Sequence, residues 1–453
     1  MKRTILSMVI ATFAVTGFAQ TMNIQTGNII TAVNTEQADE MTYSNGGTEL
    51  TVLRKTFTVS DITKIYIDES KVEDNTVSIS YSDASAQVVI AGNIASHLTT
   101  TIDGAHVNIV QDADVVDEIT YTLTGSSTDG SFTMDGELKA TVVLNGVNLT
   151  SNVGAAIDIE NGKRINIVVA DGTTNTFADY ASGLQKACFF INGHAEFSGA
   201  GTLNLTGNAK HAYRSDEYTQ LKKTFTGTIN VLSSASDGLH IEQYLEMNNG
   251  TVVINNVTSD AIDVASTNDM TDEFNGQVFI NGGSLMATAS GEDVKVLKSD
   301  AAIAITSGTL KLTATGNGSK AIGTKGTLTV SGGRVEALSL GNIYHEDQTD
   351  EAKPNAIKAT GIITISGGEV YSVSNNKAFN TDVASKGFVI NGGTLMGIGP
   401  KASPSTTGSQ ACKTYSSQNI GAGSTVSFDG VSYIVPASYS CTKAYVLVSS
   451  PGE

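Results

Sequence analysis

Between Asn249 and Ile398 one phrase recurs with small edits: NGTVVINNVTSDAIDV from Asn249, INGGSLMATASGEDVKV from Ile280, ITSGTLKLTATGNGSKAIG from Ile305, VSGGRVEALS from Val330, ISGGEVYSVSNNKAF from Ile365 and INGGTLMGIG from Ile390. The turn glycine falls at Gly250, Gly283, Gly308, Gly333, Gly368 and Gly393, giving steps of 33, 25, 25, 35 and 25 residues. A fixed period broken by two insertions marks a solenoid, in which each repeat buries its apolar face by stacking on its neighbours.

The repeat is made of strand. Val278 and Ile280 alternate with polar residues before the Gly-Gly turn, and Leu285, Ala287 and Ala289 alternate after it. Ile303, Ile305, Leu310 and Leu312 repeat the pattern one coil later, the period-two signature of a half-buried strand. Glycine tolerates positive φ and lets corners stack without a side chain between them. The expected fold is all-β, a right-handed parallel β-helix with coils about 4.8 Å apart, preceded by an N-terminal β cap or small β domain.

The chain has 453 residues with 46 Gly, five Pro and no Trp, and its formal charge is -18. Such acidity argues against nucleic acid and anionic lipid as partners, since both need Lys and Arg. Residues 1–19 read as a signal peptide: Lys2 and Arg3, an apolar run from Ile5 to Val15, then small residues to Ala19. Gln20, not a cysteine, stands directly after that cut, and no later run is long and apolar enough to span a bilayer. The expected product is secreted, periplasmic or at the cell surface. Cys412 and Cys441 share the irregular C-terminal segment, and an oxidising compartment would allow them to pair; Cys188 reads as a buried apolar residue.

In order, residues 20–117 are strand-like without the 25-residue step, 118–400 carry the rhythm, and 401–453 thin into a loop and closing strands. The VVLNGVNLT…GAAIDI…ADGTTNTFAD run, the RSDE and SDGL elements and the serial INGG turns resemble a family of secreted carbohydrate-binding β-helices. That resemblance, over roughly Glu118 to Val448, implies binding of cellulose and polygalacturonate, bound calcium and a pectate-lyase-like fold. The chain departs from the family's wording at Lys295, Lys320, Lys358 and Lys377, where bases replace acidic or neutral residues.

Aligning the segments between turns gives two columns. The first holds Asp237, Asp260, Glu292, Lys320, Asn355 and Lys377; the second holds His240, Asp263, Lys295, Gly323, Lys358 and Asn380, with Asp158 further up. One coil earlier His211, Arg214 and Asp216 join them. Two carboxylates about 5 Å apart repel by roughly 3 kcal/mol at an effective dielectric near 20, so such a stack favours a cation. Asp216, Glu217, Asp237, Glu242, Asp260, Asp263 and Asp293 offer the oxygens that calcium takes. A solvated acidic face is the other reading, and the resemblance favours metal.

Lys295, Lys320, Lys358 and Lys377, with His240 and Arg214, are the expected ligand-binding groups, placed to meet the carboxylates of a polysaccharide. A lyase would need one base with a lowered pKa, and four lysines down a column single out none. No zinc spacing, nucleotide fingerprint or hydrolase constellation stands out. Without Trp, stacking on sugar rings would fall to Tyr213, Tyr218, Tyr244, Tyr344 or Tyr371, although such tyrosines more often pack. The acidic insertions at 268–275 and 341–354 suit loops beside a groove. The sequence therefore points to a calcium-dependent binder of a polysaccharide, plant-type or otherwise acidic, that is not an enzyme; a lyase and an adhesive surface protein are the alternatives.

Overall fold

The computed structural model describes residues 20–452 apart from 39, 40, 270 and 348, so the signal-peptide reading lies outside the described residues. The chain divides into two compact units. The first takes the described residues up to Ser78 together with Gln87–Leu98. In it Thr21–Thr26 pairs antiparallel with both Ile29–Asn34 and Lys64–Asp68, and Met41–Ser44, Glu49–Val52 and Lys55–Thr58 form a meander. Its core is Met22, Ile24, Val33, Leu50, Val52 and Phe57.

The second unit is all-β and built of parallel ladders. Each coil gives one strand to each of three stacks. The first stack runs through Ile165–Val169, Ala195–Gly199, Thr219–Phe225, Tyr244–Met247, Gln277–Ile280, Ile303–Ile305 and Leu328–Val330. The second runs through Thr202–Gly207, Thr228–Ser234, Thr251–Val257, Ser284–Ala289, Thr309–Ala314 and Arg334–Ser339. The third runs through Ala187–Ile191, His211–Ser215, Leu239–Glu242, Ile262–Ala265, Lys295–Ser299, Lys320–Thr324, Ile357–Ala359 and Phe379–Thr381. Parallel stacking begins upstream of the visible rhythm, where Ala105–Gln111 pairs with Gly130–Asp135.

The alternation seen in the sequence decides which side chains face inward. Val278, Ile303, Leu328, Ile363 and Phe388 stand in register and are all buried. Leu221, Leu203 and Leu239, one from each stack, line the same interior space, so the three ladders close around one apolar core. The turn glycines are needed for their backbone: Gly283 has φ +80, and a Cβ there would lie 2.5 Å from the Gly250 carbonyl oxygen. At the C-terminal end Cys441–Ser449 runs antiparallel to Phe388–Gly399 and Lys413–Ile420, and Thr425–Phe428 pairs with Val431–Ile434. These strands cover Val373 and Ile398 with Ile420, Val426, Val431 and Tyr433, shielding an end that would otherwise expose apolar surface and unpaired edges.

This cap overturns the cysteine pairing. Cys441 stands opposite Ile420, whereas Cys412 adjoins Lys413, which stands opposite Val448. Seven residues of strand separate the two positions, about 24 Å, far beyond the roughly 7 Å Cα separation that a disulfide spans. All three cysteines are free, and Cys188 is fully buried. Thiol titration under denaturing conditions is expected to count three free thiols per chain; a count of one would overturn this arrangement of the cap.

Candidate functional site

The third ladder carries the charged face. Inward positions are apolar: Tyr213, Leu239, Ile241, Ile262, Val264 and Leu297 are buried. The alternate positions form one outward column in register, Asp158, Phe190, Arg214, His240, Asp263, Lys298, Gly323, Lys358 and Asn380. Three residues before each, where the chain enters the strand, a second column holds His211, Asp237, Asp260, Lys295, Lys320, Asn355 and Lys377. It is tied coil to coil by backbone bonds such as Ala212 N–H to Asp237 O, Gly238 N–H to Asp260 O and Ala261 N–H to Lys295 O.

Here the sequence alignment slips by three residues. Lys295 belongs in the entering column opposite Lys320, and Lys298, absent from the expected site, is the residue beside Asp263. Glu292 falls in the bend before the strand, next to Asp293 at φ +48. The bend before the strand hides this: Val257 and Ala289 stand opposite one another, but Asp260 follows Val257 by three residues whereas Lys295 follows Ala289 by six, and a count between turn glycines does not see the difference.

The register turns a carboxylate stack into an ion-pair network. Asp237 receives Nδ1 of His240 at 3.0 Å, the Ser259 hydroxyl and the Asp260 N–H, and Nδ1 of His211 lies 3.3 Å away. The Lys298 ammonium sits 3.1 Å from Asp263 and 3.2 Å from Asp260. Arg214 bridges Asp216 and Glu242, and Lys186 also reaches Asp216. Lys320 is buried with its ammonium on Asp293 at 2.7 Å and the Gly318 carbonyl at 2.9 Å, while Lys295 caps the Asp293 carbonyl. Lys358 pairs with Asp382 at 3.3 Å and Lys377 reaches the Asn380 side chain.

The protonation states follow from these partners. Burial pushes Asp237 up, but the nearby imidazoles of His211 and His240 and the Ser259 hydroxyl outweigh it and hold the acid well below the usual carboxylate range. For His240 burial favours the neutral ring, yet bonds to Asp237, Asp263 and Glu242 push its pKa up to about 10. Asp260 is raised because burial outweighs Lys298, and Asp263 is lowered because His240 and Lys298 outweigh burial. Burial lowers Lys320, the shift a catalytic base would need, but its ammonium is committed to Asp293 and the chain. At the head of the outward column burial and Glu160 lift Asp158 to about 6.

Repulsion therefore does not supply the case for calcium at Asp237, Asp260 or Asp263, each engaged by a protein cation. The carboxylate-rich end is different. Glu217 is raised by burial and by the charges of Asp272, Asp216, Glu242 and Asp269, two of which come from the insertion after Ala265. Asp216 is engaged by Arg214 and Lys186 and Glu242 by Arg214, so Glu217 with Asp269 and Asp272 supplies the carboxylates left to a hard cation such as calcium. The imidazoles around Asp237 do not suit such an ion.

The aromatic residues are already occupied. Tyr213 is buried edge-on against Phe189 and Phe197. His194, Tyr218 and Tyr244 stack face to face on successive coils, with centroids 4.4 and 4.8 Å apart, so their faces are covered by one another. Tyr371 is stacked on Tyr433 and under Arg334. Tyr344 lies in the short Tyr344–His345 and Glu351–Ala352 hairpin of the second insertion.

Residues 103–402 match the family described as "Carbohydrate-binding domain-containing protein", a span that includes every charged residue of both columns. The chain belongs to this family. A family relative from Acetivibrio thermocellus is 26% identical over 140 residues, which are 29% of this chain and 48% of that protein, so the match spans about half of the relative's length. A solved polysaccharide lyase-like protein from C. thermocellum is 22% identical with a TM-score of 0.46, covering 56% of this chain and 96% of that one. Among the described residues no helix is long and apolar enough to cross a membrane.

Proposed function

We propose that this protein is an exported right-handed parallel β-helix that binds an acidic polysaccharide along the third ladder and does not cleave it. One observation carries the reading: the positions of this column stay in register from Asp158 to Asn380, and Arg214, His240, Asp263 and Lys298 set polar groups on four successive coils, about 4.8 Å apart along a rigid face. A comb of this kind suits a polymer whose own polar groups repeat. Arg214, Lys298 and Lys358 place cations along it, where uronate carboxylates form charge-assisted bonds. The right hand follows from the twist of strands joined in parallel crossovers. Export rests on the leader-like residues 1–19.

Calcium belongs, in this proposal, at Glu217 with Asp269 and Asp272, where carboxylates outnumber cations. It would supply positive charge to a chain of net charge -18 that must hold a polyanion. Non-catalytic binding is supported by Lys320, whose ammonium is buried and paired.

Calorimetry with polygalacturonate, in calcium and in chelator, tests all three parts. Binding in calcium should weaken at least ~10-fold in chelator and in the Glu217→Gln, Asp272→Asn double variant, a loss of about 1.4 kcal/mol. Failure to bind any uronate polymer in calcium would sink the acidic-glycan reading, and equal affinity in chelator would sink the calcium assignment. Release of unsaturated, ultraviolet-absorbing product would make the protein a lyase.

A further inference from the structure

We propose that His211, Asp237 and His240 form a binding site for a zinc-class divalent metal, separate from the carboxylate-rich end and independent of polysaccharide. The three residues come from consecutive coils and the bend between them, and one ligand atom from each lies within 4.8 Å of the others. Nδ1 of His240 and Nδ1 of His211 stand 3.0 and 3.3 Å from the same oxygen, Oδ2 of Asp237. Ligands bound tetrahedrally at about 2.0–2.1 Å are roughly 3.3 Å from one another, so two edges of the polyhedron are already near the required length.

The second observation is an unsatisfied atom. His211 is 3% exposed, and its Nδ1 has no hydrogen-bond partner: it approaches Oδ2 of Asp237 off the bonding direction. Oδ2 already takes the His240 nitrogen, and Oδ1 takes Ser259 and the Asp260 N–H. Without a metal, a buried ring nitrogen left without a hydrogen bond is destabilising. A metal among the three atoms gives every one of them a partner.

The donor set selects the class of ion. Two imidazole nitrogens and one carboxylate oxygen suit zinc, cobalt, nickel or copper and disfavour calcium and magnesium. The rings are stacked with centroids 4.5 Å apart, which fixes their orientation. Glu242, held by Arg214, lies 3.8 Å from Nε2 of His240, so a negative charge faces the far ring nitrogen without a direct hydrogen bond. Asp263, 3.4 Å from the same Nδ1, is held by Lys298 and steadies the ring. The His240 side chain is 14% exposed, so the site opens on the outward face, where the fourth position is left to water or to a ligand oxygen.

The full chain, stripped with chelator and checked by circular dichroism, is titrated with zinc and with cobalt in excess calcium and without polysaccharide. The expected result is about one zinc per chain, undisturbed by calcium, and visible d–d absorption of tetrahedral cobalt. His211→Gln and His240→Gln should each weaken zinc at least ~100-fold, while Glu217→Gln leaves it unchanged. A folded wild-type chain that retains no zinc and shows no cobalt bands overturns the proposal, and so does a folded His240→Gln that binds zinc as tightly as wild type. Either failure leaves the polysaccharide reading standing, because no glycan is present in the assay.

Discussion

Gly316→Ala is expected to abolish the native state under ordinary conditions, although the substitution adds one methyl group. A Cβ at Gly316 would lie 1.7 Å from the carbonyl oxygen of Gly291 and 2.6 Å from that of Ser290. Both obstacles are backbone of the preceding coil, which is fixed by its own ladder and cannot rotate away as a side chain would. The contact repeats along the stack: a Cβ at Gly341 would meet Gly316 O at 1.9 Å, and one at Gly291 would meet Thr258 O at 1.9 Å. Relieving the clash means parting two coils, which places the cost in the exceptional class of more than about 4 kcal/mol. Gly146→Ala is the control, since Gly146 has φ +74 and open space around the added atom. It should cost only about 1–2 kcal/mol, the penalty for a left-handed backbone. Urea midpoints of both variants check this; a Gly316→Ala midpoint close to wild type would mean that coil contact at this bend is not what requires glycine.

That contrast shows what the sequence could convey. Apolar residues at Ile303, Ile305, Leu310 and Leu312 occupy the interior positions their alternation assigns, because a strand has only two faces and only one can be buried. The Gly-Gly turns were legible for the same local reason. Register across a bend of changed length was not, and there the reading of Lys295 went astray while Lys298 was overlooked. Partnership was equally hidden. Asp237, Asp260 and Asp263 look like an unrelieved acidic stack until neighbouring coils bring His211, His240 and Lys298 against them. Cys412 and Cys441 seem close in the chain, yet an antiparallel ladder holds them at opposite ends of one strand. A histidine one coil before a D-x-x-H segment was the available signal for the His211, Asp237 and His240 cluster, and it acquires meaning only once consecutive coils are known to be in contact.

Lys298→Met should destabilise the protein by about 1–3 kcal/mol at neutral pH, less than the loss of one partner from a fully buried ion pair because the Lys298 side chain is 29% exposed and partly solvated. Methionine keeps most of the aliphatic stem, so lost packing contributes little. The loss comes from Asp260 and Asp263, whose side chains are 12% and 9% exposed and whose shared cation is the Lys298 ammonium. In the wild type the two acids pull in opposite directions. Asp263 has a lowered pKa, so its stabilisation is present above the unfolded value and is lost as pH falls through the folded one. Asp260 has a raised pKa, so the folded chain binds its proton more readily and stability declines as pH rises through that range. Removing Lys298 raises both, and the variant should recover stability as pH falls from neutral toward the unfolded aspartate value. Lys298→Met with Asp263→Asn removes one of the stranded charges and should regain part of that loss relative to Lys298→Met alone. Denaturant melts of the single and double variants across that pH range measure both effects. A Lys298→Met protein within about 0.5 kcal/mol of wild type at neutral pH would show that solvent, rather than the ammonium, compensates these carboxylates, and would remove Lys298 from the set of groups that organise the outward face.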